Sequence, residues 1–150
     1  MPGVEGRVTM VTGAGRGIGR VAADLLASRG ARVMAVDRSE NGLKTLGLDY
    51  VVADLGTPEG CALAVKETQD RLGPVAILVC NHGIGSAHER VIWEQEADVW
   101  RETMRINLDG PYFLSQLVVK DMIEQGYGRL VFTSSTSWHP KNPVASTGRP

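Results

Sequence analysis

Five short apolar runs constrain the fold more than any other feature of the chain. Val8 to Val11, Arg32 to Val36, Tyr50 to Ala53, Val75 to Cys80 and Arg129 to Thr133 are almost continuously apolar. Strands read this way, rather than alternating, when both faces are covered. The segments between them carry a helical period. Residues 17–29 place Ile18, Val21, Ala22, Leu25 and Leu26 at spacings of three and four, which predicts one stripe against a sheet, stopped by Gly30. Thr57-Pro58-Glu59 supplies a cap, a first-turn proline and an early acid for a helix running to Leu72, closed by Gly73-Pro74. Residues 96–125 predict two helices broken near Asp109-Gly110-Pro111, with Tyr112, Leu114, Leu117, Val118 and Met122 in the second. Residues 39–47, interrupted by Gly42 and Gly47, predict a short crossover, and 136–150 read as irregular chain. Strands alternating with helices predict a parallel α/β sheet in a single domain over 1–150.

The balance of 16 Lys plus Arg against 17 Asp plus Glu, with no block of either sign, gives no reason to expect a nucleic-acid partner. No apolar run approaches the ~18 residues that span a bilayer, and Met1 to Arg7 is not a leader, so the reading is cytoplasmic with no membrane partner. Cys61 and Cys80 suit buried free thiols. His82, His88 and His139 lack the spacing of a zinc site, so no metal is expected. Trp93 and Trp100, seven apart, predict packing on one helix face.

Directly after the first apolar run comes Thr12-Gly13-Ala14-Gly15-Arg16-Gly17-Ile18-Gly19. A turn between a strand and a helix exposes unpaired N–H groups that suit a pyrophosphate, and glycine lets that backbone come close. The spacing is G-x-x-x-G-x-G through Gly13, Gly17 and Gly19, because Ile18 occupies the third glycine of a G-x-G-x-x-G counted from Gly13. Asp37 lies eighteen residues beyond Gly19 at the end of the second run, where a carboxylate can accept both hydroxyls of an adenosine ribose and repel a 2′-phosphate. NAD is therefore expected over NADP, with Arg16 and Arg38 softening the preference.

With these residues in place, the chain resembles the short-chain dehydrogenase/reductase family over residues 6–138. Residues 12–19 look like its T-G-x-x-x-G-x-G turn, Asp54-Leu55 its adenine-contacting pair, and Asn81-His82-Gly83 its N-N-A-G motif. Asn107 in "RINLDGPYF" resembles the family's relay asparagine, and "GRLVFTSS" the strand that ends in its catalytic serine, here Ser135. The resemblance implies a Rossmann-type, doubly wound parallel sheet in the order 3-2-1-4-5, short of the family's seven strands. It also implies hydride transfer between a nicotinamide and a small alcohol or ketone. Ser135 would hydrogen-bond the substrate oxygen and Asn107 would order a water in the proton relay. Homo-oligomers form in this family through helices that include the region 110–125.

One element of the pattern is missing. The family's Y-x-x-x-K should begin at 147–149, where Thr147, Gly148 and Arg149 stand; Tyr127 is the last tyrosine and Lys141 the last lysine. The expectation is a chain truncated relative to the family and inactive alone, its fifth strand forming an exposed edge. The alternative is a non-catalytic dinucleotide-binding remnant, or a subunit completed by association.

Overall fold

The computed structural model describes residues 3–85 and 92–134. Five strands, β1 (Val8–Thr12), β2 (Arg32–Asp37), β3 (Asp49–Val52), β4 (Ile77–Cys80) and β5 (Arg129–Phe132), form one sheet in the order β3-β2-β1-β4-β5. Every pairing is parallel, with Met10 beside Met34 on one side and Leu78 on the other. This is the expected Rossmann-type order, with strand limits within two residues of those read from the apolar runs.

Side chains alternate between two cores. Met10, Met34 and Val36 point into a cluster with Cys61, Ala64 and Val65 of α3 (Pro58–Leu72) and Leu114, Val118 and Met122 of α5 (Gly110–Glu124). Val11, Val33 and Ala35 point the other way, toward Ala23 of α1 (Gly17–Ser28) and Leu43 of α2 (Glu40–Leu43). Continuous apolarity in the strands is thus explained by helices on both faces. The α3 cap is as expected: Gly60 N donates to the Thr57 hydroxyl at 3.0 Å behind the first-turn Pro58.

Three helical readings need correction. The α1 stripe is rotated: Gly19 and Ala23 are buried, while Ile18 is 74% exposed and Val21 and Leu25 also face outward. Small residues are selected on the inner face because the helix start must lie against the glycine turn. Nor does the chain break at Asp109-Gly110-Pro111. Helix α4 (Ala97–Met104) passes through a π-helical turn, Arg105–Asp109, directly into α5. Gly110 keeps helical dihedrals, φ −55 and ψ −56, and a side chain there would collide with the Leu55 carbonyl, so it is a packing glycine. Trp93 lies in a short 3-10 turn (Ile92–Glu94), and at 80% and 60% exposure neither Trp93 nor Trp100 packs on a core helix face.

Among the described residues β5 pairs only with β4, and Leu130, Val131 and Phe132 are all exposed. No helix among the described residues is long and apolar enough to cross a membrane.

Candidate functional site

The chain crosses from β1 to β2 on one side of β1 and then from β3 back to β4 on its other side, and this switch opens a crevice at the carboxyl ends of the strands. A cleft of about 360 Å³ lies there. The glycine turn contributes Gly13, Arg16, Gly17 and Ile18; β2 ends into it with Asp37 and Arg38; Asp54 and Leu55 follow β3; Asn81, His82 and Gly83 follow β4. Thr12, Gly15 and Gly19 do not line the cleft. They lie behind the lining and hold it in place.

The turn is held by close backbone approach. Gly13 has φ +65, and a Cβ there would meet His82 Cα at 2.9 Å and the Asn81 amide nitrogen at 3.1 Å. A Cβ on Gly19 would run into the Gly13 carbonyl oxygen and lie 2.8 Å from its carbon. Gly17, at φ +56, has open space around its Cβ position, so its requirement is conformational. Arg16 caps α1 without a side-chain hydrogen bond, and the first turn carries no acid. The leading N–H groups of α1 therefore face the cleft with their partial positive charge intact.

Asp37 sits against this turn. Its Oδ2 accepts from Gly15 N at 3.0 Å and its Oδ1 from Ser39 N at 3.0 Å, so the carboxylate is pinned with lone pairs to spare. At the other wall Asp54 Oδ1 accepts from Gly56 N at 3.0 Å and Oδ2 from Arg105 at 2.9 Å. Partial burial pushes the Asp54 carboxyl up, but the Gly56 N–H and the Arg105 guanidinium outweigh it and hold it below the usual carboxylate range. Arg105 also grips both oxygens of Glu102 at 2.8 Å, tying the π turn to the end of β3.

The Thr12 hydroxyl joins β1 to β4. It accepts from Asn81 N at 3.0 Å and His82 N at 3.3 Å and lies 2.7 Å from His82 Nδ1. The Asn81 side chain reaches Gly13 O at 3.5 Å and accepts from the Thr133 hydroxyl at 3.2 Å. Burial lowers the pKa of His82; the Ile106 carbonyl and the carboxylates of Asp37 and Asp54 act against that shift. Asn107 stands outside the cleft lining and bonds to it indirectly: Ile84 N donates to Asn107 Oδ1 and Asn107 Nδ2 donates to Ile84 O, both at 2.8 Å. Ser135 lies outside the described residues, as do His88, His139 and Trp138. Among the described residues no group of three or more His, Cys, Asp or Glu is placed to hold a metal.

The sequence matches the family model for short chain dehydrogenases over residues 7–147. The chain belongs to the short-chain dehydrogenase family. The 3-oxoacyl-[acyl-carrier-protein] reductase FabG of Vibrio cholerae is 34% identical over 139 residues, which are 88% of this chain and 56% of that protein. The 2-dehydro-3-deoxy-L-rhamnonate dehydrogenase (NAD(+)) of a Sphingomonas species is 34% identical over 94% of this chain and 58% of its own length. The chain thus spans little more than half the length of these short-chain dehydrogenases. Among solved structures, a gluconate 5-dehydrogenase from Burkholderia cenocepacia in complex with NADP and tartrate superposes with a TM-score of 0.81 at 33% identity, covering 93% of this chain and 57% of that one. A metagenomic short-chain oxidoreductase in complex with NADP gives 0.84 at 27% identity, covering 92% and 66%.

Ala53, Ile84, Ile106 and Thr133 also line the cleft and were not foreseen as site residues. Ala53 and Ile84 adjoin recognised motifs, and Thr133 and Ile106 lie inside the stretches "GRLVFTSS" and "RINLDGPYF", so reading each motif a residue or two wider would have found all four.

Proposed function

We propose that this chain forms the dinucleotide-binding part of an NAD(P)-dependent oxidoreductase that moves a hydride between a nicotinamide and an alcohol or carbonyl, with NAD preferred. The observation that carries the reading is the Asp37 carboxylate pinned to the glycine turn through Gly15 N and lining the same cleft as Gly13 and Gly17. The residues fit a dinucleotide: a Cβ on Gly13 or Gly19 would collide with the strand ends and turn that shape the cleft, the start of α1 offers free N–H groups, and Asp37 keeps lone pairs for ribose hydroxyls. The bound cofactor supplies or accepts the hydride. Asp54 and Leu55 would flank the adenine and Asn81, His82 and Gly83 the nicotinamide half. Ser135 would donate to the substrate oxygen, where reduction develops negative charge. The exposed Arg16 and Arg38 at the rim would narrow the discrimination against a 2′-phosphate.

The names of the similar proteins, a 3-oxoacyl-[acyl-carrier-protein] reductase, a 2-dehydro-3-deoxy-L-rhamnonate dehydrogenase and a gluconate 5-dehydrogenase, support alcohol or carbonyl chemistry, and the similar proteins include both an NAD(+) enzyme and NADP complexes. A second reading rests on Thr147, Gly148 and Arg149 standing where the family's proton-donating tyrosine is sought. On that reading the 150 residues bind the dinucleotide without turning it over. Titrating the chain with NADH and NADPH by nucleotide fluorescence tests binding, and an assay with NAD and a panel of secondary alcohols tests turnover. NADH is expected to bind more tightly than NADPH with no turnover; equal affinities would end the NAD preference, binding of neither would end the cofactor assignment, and sustained turnover would end the second reading.

A further inference from the structure

His82 has a role that the binding motifs leave unexplained. Its Nε2 is enclosed and makes no hydrogen bond of ordinary geometry, an unusual state for a buried polar atom. The other ring nitrogen fixes which proton it carries. The Thr12 oxygen already accepts from two backbone N–H groups, of Asn81 and His82, which uses both of its lone pairs. It has one hydrogen to give, and His82 Nδ1 at 2.7 Å is a nearer acceptor than Val79 O at 3.2 Å. His82 Nδ1 is therefore the acceptor, and the neutral ring holds its hydrogen on Nε2.

The ring lies beside an acceptor which the helix cannot satisfy. In the π turn Gly110 N donates to Arg105 O, so the i+4 donor of the Ile106 carbonyl is taken. The i+5 donor would be the N–H of residue 111, and Pro111 has none. The Ile106 carbonyl is the backbone acceptor that acts on the His82 ring, and a Cβ on Gly110 would lie 2.9 Å from Nε2, so only glycine leaves the imidazole room.

We infer that His82, as the Nε2–H tautomer, is the positioning residue of the π turn: it is the donor for the Ile106 carbonyl that Pro111 leaves bare, and so sets the presentation of Asn107. Thr12 at the end of β1 orients the ring, and the ring in turn fixes a helical segment whose next residue clamps the Ile84 backbone. The support behind the cleft lining and the Asn107 clamp are thereby one hydrogen-bonded unit. The inference holds whether or not the cleft takes a dinucleotide.

Nitrogen-15 NMR of the histidine rings at neutral pH is expected to show His82 with a protonated, slowly exchanging Nε2 and an unprotonated Nδ1. Two variants separate the ends of the ring. His82→Gln carries an amide far enough out to reach the Ile106 carbonyl; His82→Asn keeps only an acceptor for Thr12. Hydrogen exchange at Gly110 N and at the Asn107 side-chain amide is expected to quicken at least about tenfold in His82→Asn and to stay near the parent in His82→Gln, with the β1 amides unchanged in both. A parent ring protonated on Nδ1 would overturn the inference, as would unchanged exchange in His82→Asn. Should either variant fail to fold, the tautomer of the parent decides.

Discussion

The side-chain amide of Asn107 is bonded at both ends to the backbone of a single residue, Ile84, with Nδ2 donating to its carbonyl and Oδ1 accepting from its N–H, each at 2.8 Å. The side chain thus does for Ile84 what a neighbouring strand would do, just past β4, where the sheet no longer pairs.

Replacing Asn107 with Leu should remove both bonds. An exposed pair of this kind is worth about 1 to 2 kcal/mol in total, and urea unfolding should show the midpoint falling accordingly, with the slope unchanged. Asn107→Asp, which keeps one acceptor, should lose about half as much. An unaltered midpoint in Asn107→Leu would show that the clamp contributes nothing.

The glycines of the turn should separate by mechanism. Gly19→Ala drives a Cβ into the Gly13 carbonyl and should cost about 2 to 3 kcal/mol, together with nucleotide binding. Gly17→Ala meets no atom, but holds φ +56, and should cost about 1 kcal/mol. Thermal unfolding of the two variants checks the order; equal losses would mean that contact with Gly13 is not what excludes a side chain from position 19.

Gly15 and Asp37 should behave as a pair. A Cβ on Gly15 would sit 3.0 Å from Asp37 Oδ2, so Gly15→Ala should displace the carboxylate and imitate Asp37→Ala. Each is expected to lower NADH affinity by about tenfold, roughly 1.4 kcal/mol, and to leave NADPH nearly unchanged. If the double variant lost as much as both singles added together, the two residues would be acting independently.

Acid should weaken the fold first at His82. Burial lowers its pKa below the ordinary 6.5, with the carboxylates of Asp37 and Asp54 and the Ile106 carbonyl opposing. The unfolded chain therefore binds the proton more readily than the folded one. Stability from this group is complete above about pH 6.5 and is lost as pH falls through the lower folded value, because a protonated Nδ1 confronts a Thr12 oxygen with no lone pair left. Asp54, also lowered, from 3.8, adds its loss in a more acid window. Urea midpoints between pH 7.5 and 5 should decline more steeply in the parent than in His82→Gln; parallel declines would remove His82 as the cause.

The two thiols should be inert in the folded chain. Burial pushes Cys61 up to about 11, helped by the Asp54 charge, and Cys80 up to about 12. Cys61 Sγ also donates to Leu55 O at 3.2 Å. At pH 8 a thiol reagent should label both residues ~100-fold faster in urea than in buffer, since the thiolate is the reacting species. Comparable rates would show that the core around α3 opens readily.

Much of this was readable along the chain. The five strands were legible because each is apolar on both faces, a pattern that needs no partner to be seen. The order β3-β2-β1-β4-β5 came through the resemblance carried by the glycine turn and the motifs after β3 and β4. The cap at Thr57 is local chemistry and lay where it was expected. Helix α1 was misread in its facing, because a stripe of large apolar residues outweighed Gly19 and Ala23 in the pattern, whereas close approach to the turn favoured the small ones. The predicted break at Gly110-Pro111 failed for a related reason: glycine and proline end a helix when nothing else holds it, but here the π register, the Leu55 carbonyl and the His82 ring take up both residues.

The sequence by itself determined the parallel α/β class, the strand positions and the glycine turn with its acid, since these depend on residue type and spacing along the chain. Only the tertiary structure decided that Asp37 is pinned by Gly15, that Asn107 clamps Ile84, and that the His82 ring stands between Thr12 and the Ile106 carbonyl. Those pairs lie 22 to 70 residues apart in the chain and on different elements, and their geometry exists only once the sheet brings its strand ends together.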